Sequence, residues 1–264
     1  MKSKWMPQAS LLNRQIEVLV IGAGGTGSQV TQGLGPLHTA LLALGHPGGL
    51  RVSVLDPSVV RETNLARQPF YASDLGQYKA TVVATRVMAQ YAAQNLLVRA
   101  AISDNIQSAV GKFRPDIIFG CVDTRQARAT IAKIKTPHSI LWMDIGNRND
   151  DGQCIFGTLV RDNEELDIPH IGKLYPEAID TKLPEDNQPS CSMAESLERQ
   201  SLYINRLMAT MALDMFSRFL REGLEHHGRI INLREGTMNR IAVDPEVWAR
   251  MGYRPTSKEN KKAA

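Results

Sequence analysis

The sequence predicts an α/β fold, a doubly wound and mostly parallel sheet, on three observations. A β-branched run, Glu17-Val-Leu-Val-Ile21, ends in the glycine turn Gly22-Ala-Gly-Gly-Thr-Gly27, and a helix-compatible segment follows from Ser28. A second run, Arg51-Val-Ser-Val-Leu55, ends in Asp56-Pro57. Further strand-like runs at Leu97–Ile102, Asp116–Cys121, Ile140–Ile145 and Cys154–Leu159 are separated by helical stretches. Strands that alternate with helices pair in parallel, because the crossover helices bring each strand back to the same edge and cover both faces.

The remaining elements follow in order. A polar loop runs from Glu62 to Asp74, and a helix is predicted from about Tyr78 to Asn95, with Val82, Val83, Val87 and Tyr91 on one side. The segment Arg161 to Ser190 breaks the rhythm: it holds Pro169, Pro176, Pro184 and Pro189, eight acidic and three basic side chains, and no sustained period. It reads as a long crossing loop. A helix is expected from about Met193 to Glu222, and Ile230–Leu233 with Arg240–Val243 form a terminal hairpin. At 264 residues the chain is expected to be one elaborated domain, 1–264, with a nucleotide-binding sheet over 1–160, a crossover loop over 161–192 and closing helix plus hairpin over 193–264.

Composition excludes several classes. Charged residues make up 22% and apolar ones 43%, ordinary values for a folded chain that rule out a disordered or fibrous one. Lys and Arg number 31 against 27 Asp and Glu, a net charge of +4 with part of the excess in Lys258, Lys261 and Lys262, so no nucleic-acid partner is expected. The most apolar long stretch, Tyr203 to Leu220, is interrupted by Asn205, Arg206, Asp214, Ser217 and Arg218, which argues against a membrane span. Met1 to Arg14 lacks the apolar core of a signal peptide. Three widely spaced cysteines, Cys121, Cys154 and Cys191, make no disulfide framework and point to a reducing cytoplasm.

The chemistry begins at the glycine turn. Gly22, Gly24 and Gly27 satisfy G-x-G-x-x-G at the end of a strand, with Gly25 inside the turn. Such a turn lets backbone approach a phosphate at a helix N-terminus. Asp56 ends the second strand where a ribose hydroxyl would be held. The motif alone leaves NAD, FAD and ATP open. The loop that follows contains Asn64-Leu-Ala-Arg67-Gln68 and Gly76-Gln-Tyr-Lys79-Ala80. A nicotinamide site has no call for an arginine and a lysine just past the ribose acid, whereas a triphosphate must have its charge neutralised. Asp123, after the buried run Ile117–Val122, is placed either as a magnesium ligand beside phosphates or as a helix N-cap. Cys121 and Cys154 fall in strands and read as core. Cys191, in Pro189-Ser-Cys-Ser192 before a predicted helix, reads either as a buried small apolar group or as an activated thiol.

Taken in order, Ile21-Gly-Ala-Gly-Gly-Thr-Gly-Ser28, Asn64-Leu-Ala-Arg67-Gln68, Gly76-x-x-Lys79-Ala80 and Asp123-x-x-x-x-Arg128 resemble the adenylating domain of ubiquitin-activating-type enzymes, the ThiF/MoeB/HesA superfamily, from about Glu17 to Phe219. The stretch Pro189-Ser-Cys-Ser-Met-Ala and the C-terminal part further resemble the ThiF-family proteins of the plasmid-associated, bacterial PRTRC cassette. The resemblance implies an adenylyltransferase that uses ATP and Mg²⁺ to activate the C-terminal glycine of a ubiquitin-like β-grasp protein, releasing pyrophosphate. Asp56 would hold the ribose. Asn64, Arg67 and Lys79 would hold the phosphates, with Gln68 and the turn glycines in the same site, and Asp123 would bind the magnesium. Cys191 would receive the activated carboxylate. The resemblance also implies a homodimer.

Two departures bear on the resemblance. No C-x-x-C pair occurs, so the structural zinc of many relatives is not expected. Relatives often donate an arginine from an N-terminal helix into a partner's nucleotide site. Only Asn13-Arg14-Gln15 precedes the first strand in this chain. The span Gln29 to Leu50 is also longer than usual. Two alternatives stay open: an adenylating enzyme of the same superfamily acting on a small molecule or tRNA, and a nicotinamide-dependent oxidoreductase on the same Rossmann start.

Overall fold

The computed structural model describes residues 4–65, 67–160, 167–185 and 201–254. A short helix α1 (Ala9–Leu12) leads into β1 (Ile16–Ile21), α2 (Gly25–Ala43), β2 (Leu50–Leu55), α3 (Lys79–Gln90), β3 (Leu97–Ala101), α4 (Ile106–Phe113), β4 (Ile117–Gly120), α5 (Arg125–Ala132), β5 (Ile140–Asn147) and β6 (Asp151–Val160). Then come α6 (Ile171–Leu174), α7 (Ile204–Glu222), the hairpin β7 (His226–Asn232) and β8 (Thr237–Ala242), and α8 (Pro245–Arg250).

One eight-stranded sheet in the order β3-β2-β1-β4-β5-β6-β7-β8 carries these elements. The first five strands pair in parallel and the last three add antiparallel. From β1 the chain steps outward through α2 and α3 to the edge strand β3, then returns through α4 to β4 on the other side of β1. Right-handed crossovers in opposite directions put helices on opposite faces, which is why this sheet is doubly wound. Helix α2 lies between α3 and α7, and α7 also covers β5 and β6.

The sheet extends past residue 160. The terminal hairpin, read from sequence without a place, continues it as the antiparallel edge. Its first strand begins four residues earlier than the apolar run, at His226, because pairing with β6 forms at Gly228↔Ile155 and Arg229↔Cys154 regardless of side-chain polarity. Helix α3 stops at Gln90, short of the predicted Asn95. The chain then tightens into a 3₁₀ turn, Ala92–Gln94, and Asn95 takes a left-handed conformation (φ 57°) that asparagine tolerates. The described part of the crossing segment, 167–185, is not bare loop: it contains α6 and a 3₁₀ turn, Pro176–Ile179, opened by a proline that fits the first helical position.

An aromatic cluster closes the core. Trp5 packs on Phe156 and Phe219 with ring centroids 4.8 and 4.6 Å apart, and Phe219 lies 5.1 Å from Phe156. Paired backbone bonds between Trp5 and Leu224 fix the N-terminal segment to the end of α7. At the far edge His227 donates from Nδ1 to the Phe156 carbonyl and accepts at Nε2 from the Trp248 indole, each at 2.9 Å. Burial holds this imidazole neutral, its pKa lowered to about 4. Among the described residues no helix is long and apolar enough to cross a membrane.

Candidate active site

The parallel register determines what meets at the sheet's C-terminal edge. Leu55, Ile21, Gly120 and Asp144 stand level across β2, β1, β4 and β5. The residues just beyond Leu55, Ile21 and Gly120 therefore leave the sheet side by side, about 4.8 Å apart from strand to strand, while β5 runs on to Asn147. In an open α/β sheet this is the crevice where ligands bind.

The glycines of the turn do different jobs. Gly22 has φ +91°, and a Cβ there would lie 2.5 Å from the Cys121 carbonyl oxygen. A Cβ on Gly27 would fall 1.8 Å from the Gly22 oxygen. These two are required by the protein's own backbone. Gly24, by contrast, has an ordinary negative φ of −76° and nothing within 4 Å of its Cβ position. It caps α2 without a side-chain hydrogen bond, and the first turn of α2 holds no acidic residue. The start of α2 thus offers a positive dipole end with open space in front of it, the arrangement that receives a phosphate.

Asp56 shapes this turn as well as bordering it. Its carboxylate, 7% exposed, accepts from the Ala23 N–H at 2.6 Å and the Ser58 N–H at 2.7 Å. The Lys79 N–H donates to the Ser58 carbonyl at 2.9 Å, and an isolated antiparallel bridge joins Val59 to Tyr78. That bridge folds the excursion back so that Lys79, at the start of α3, sits over the end of β2. Burial lowers the Lys79 pKa, and the nearby charges of Asp56 and Asp123 act against that shift. Asp56, Lys79 and Asp123 therefore share one field, although 67 residues of sequence separate the two carboxylates.

Asp123 is exposed at the end of β4, and the N-cap of α5 is its neighbour Thr124, whose hydroxyl accepts from the Ala127 N–H at 3.2 Å. The capping role is thus filled without Asp123. Asn64 uses its side-chain oxygen to accept from the Arg61 N–H at 2.9 Å, which tightens the 3₁₀ turn Glu62–Asn64. Arg67 is half-buried in the same excursion, and burial pushes its guanidinium below the usual range. Gln68 follows with its Oε1 buried and, among the described residues, without a hydrogen-bond partner. The crossing segment returns beside this edge. Glu185 accepts from the first two N–H groups of α5, Arg125 at 2.9 Å and Gln126 at 3.1 Å, while the Arg125 side chain donates to the Pro184 and Glu177 carbonyls. Arg128 is held by Asp144, fully buried within β5, with Nε 3.0 and 3.3 Å from its two oxygens.

Several residues stand apart from this group. Cys191 lies outside the described residues. Cys154 is buried, 3.4 Å from the Met215 sulfur, its thiol pushed up to about 12, and burial raises Cys121 as well. Arg14 is at the opposite edge of the sheet, in a two-point pair with Asp116 at 2.8 and 2.5 Å. Sequence reasoning missed Thr26, Asn147 and Asn205, which meet beside the glycine turn. The available signal was a polar residue, Asn205, on the apolar side of α7 next to Ile204 and one turn before Met208 and Ala209.

A sequence model described as the ThiF family matches residues 7–247. No curated protein matches the chain in sequence. Among solved structures the chain is similar to selenomethionine PaaA, with 14% identity and a TM-score of 0.60 over 87% of this chain and 73% of that one. It is similar to E. coli MccB crystallised with ATP, with 17% identity and a TM-score of 0.57 over 92% of this chain and 66% of MccB. The same values hold for MccB with MccA-N7isoASN. The chain thus spans just under two thirds of MccB's length. At these identities the likeness is one of fold.

Proposed function

Because the chain belongs to the ThiF family, we propose that it is an adenylyltransferase that binds ATP along this edge and activates the terminal carboxylate of a small protein or peptide. The observation that carries the reading is the convergence of the open glycine turn with Asp56, Lys79 and Asp123. Gly24 supplies space where a phosphate can approach backbone, and the α2 N-terminus supplies positive potential. Lys79 supplies a cation in the field of two carboxylates. A nicotinamide dinucleotide, with two phosphates in place of three, has less charge for that lysine to neutralise.

In the proposed reaction the acyl carboxylate attacks the α-phosphorus. A new P–O bond forms as the bond to the bridging oxygen breaks, and pyrophosphate leaves with the electron pair. No proton has to move, so the protein's part is to position groups and neutralise charge. Asp56 would accept from a ribose hydroxyl with lone pairs left over from Ala23 and Ser58. The buried Gln68 oxygen, an acceptor, suits a ribose or base donor better than a phosphate. Arg67 and Lys79 would neutralise the phosphates. Asp123, an exposed carboxylate at this edge, would hold Mg²⁺, which keeps most of its waters and needs only one or two protein oxygens. When bound, magnesium would shield the pyrophosphate as it departs.

MccB has been crystallised with ATP and with MccA, and these structures support an acceptor that is itself a chain with a carboxyl terminus. The PRTRC-like stretch Pro189–Ala194 favours a ubiquitin-like β-grasp protein ending in glycine, with Cys191 taking the acyl group afterwards. The test is ATP–pyrophosphate exchange with candidate small proteins. Exchange that requires an intact C-terminal carboxylate on one of them is the expected result. Exchange that is indifferent to that carboxylate, or reduction of a nicotinamide cofactor in its place, overturns the reading.

A further inference from the structure

Three uncharged polar side chains that the mechanism above leaves unused meet behind the glycine turn. Thr26, the second residue of α2, has its hydroxyl 3.0 Å from Asn205 Oδ1 and 3.2 Å from Asn147 Oδ1. Thr26 and Asn205 are 8% and 6% exposed, so these contacts lie largely out of water. Asn147 ends β5 and Asn205 is the second residue of α7. The three elements that frame the edge beyond β4 are thereby tied to one hydroxyl. The Asn205 amide also fills the space beside Gly25. A Cβ built on Gly25 would lie 2.5 Å from Asn205 Nδ2 and 2.6 Å from its Cγ. Gly25 is not one of the spaced motif glycines, and its backbone has no positive φ. The nearest atoms that a side chain there would meet belong to Asn205.

We propose that Thr26, Asn147 and Asn205 form a clasp that fixes the phosphate-receiving turn, with Asn205 as a positioning residue for the bound triphosphate. The proposal rests on the nucleotide reading above. Its physical basis is orientation. The N–H groups of Gly25 and Thr26 bind a phosphate only if the first turn of α2 is held still, and Gly24 and Gly25 have no side chains to anchor it. The Thr26 hydroxyl is the first side chain able to do so, and it has a single proton for two amide groups. One asparagine must therefore turn its NH₂ toward Thr26 while the other accepts, so the hydroxyl is held as both donor and acceptor. Amides suit the place because they carry no charge. A carboxylate so close to the helix N-terminus would compete with a phosphate for the same potential.

The test compares ATP with adenosine, which lacks phosphates, by calorimetric titration in the presence of Mg²⁺. Thr26→Val keeps the shape and removes the hydroxyl. We expect it to weaken ATP about tenfold, the loss of roughly one well-placed hydrogen bond, and to leave adenosine unchanged. Thr26→Ser restores the hydroxyl and should bind ATP like the wild type. Asn205→Asp should weaken ATP more than Thr26→Val does, again without affecting adenosine. If Asn205→Asp does not fold, the Thr26 pair decides alone. Wild-type ATP affinity in Thr26→Val, or an equal loss for ATP and adenosine, overturns the clasp. A wild-type chain that binds neither ligand overturns the nucleotide reading, and the clasp falls with it.

Discussion

The two ends of the parallel strands spend their charges differently. At the N-terminal end, carboxylates meet guanidinium groups. Asp116 pairs with Arg14, and Glu17 bridges Arg51 at 2.6 Å and Arg99 at 2.8 Å, with Arg99 also donating to Ser53. At the C-terminal end, Asp56 accepts from backbone N–H groups instead, and Lys79 lies in the field of two carboxylates at a turn with room in front of Gly24. One edge is neutralised by its own side chains, and the other is shaped to be completed by something else. The contrast also places Arg14. Within this chain, Arg14 is held at two points by Asp116 on the edge away from the glycine turn.

Substitutions at the two edges should therefore fail in different ways. The largest effect is expected at the C-terminal edge. Arg67→Ala or Asp123→Ala should lower ATP–pyrophosphate exchange by two to three orders of magnitude, since each removes charge stabilisation on the order of 3 kcal/mol, with the melting temperature little changed. Next is Gly27→Ala. Its methyl group collides with the Gly22 carbonyl, and overpacking of this kind typically costs about 1–3 kcal/mol, so it should lower the melting temperature as well as ATP affinity.

A pH series separates the edges without mutation. Burial lowers the Lys79 pKa, so this lysine loses its charge at a lower pH than an ordinary one. ATP affinity should accordingly fall as the pH rises toward the lysine range, and Lys79→Arg should remove that fall. Asp116 raises the pKa of Arg14, so fold stability contributed by the other edge should not change over the same range. The smallest effect is expected for Arg14→Ala. This pair is half exposed on the arginine side and worth no more than about 1 kcal/mol, so stability should drop slightly and ATP titration should be unaltered. A loss of exchange in Arg14→Ala would erase the distinction between the edges.

Much of this contrast could be read from the sequence, for identifiable reasons. The mostly apolar runs Asp116–Cys121 and Ile140–Ile145 read as strands of the sheet, and β4 and β5 fall on them. The glycine turn, Asp56 and Asp123 follow strand ends, and Lys79 opens α3. What stayed hidden depends on partners far away in sequence. Thr26 and Asn205 are 179 residues apart, and Arg14 and Asp116 are 102 apart. Neither pair leaves a local period, and Asn205 read as no more than an interruption in an apolar stretch. The crossing segment misled for the opposite reason. Its prolines and acids look structureless, yet Pro176 opens a 3₁₀ turn and Glu185 is bound to the start of α5. The start of β7, His226-His-Gly-Arg, was missed because its pairing with β6 runs through backbone groups that any sequence possesses.

In the proposed reading, the space in front of Gly24 belongs to a phosphate of ATP. Calorimetric titration of the wild type and Gly24→Ala with MgATP and with NAD⁺ tests it most directly. The account predicts that the wild type binds MgATP and not NAD⁺. Gly24→Ala should melt at the wild-type temperature, because its methyl group meets nothing in the protein, and yet lose ATP affinity. Unchanged ATP binding in Gly24→Ala, or NAD⁺ bound in preference to ATP, would contradict it.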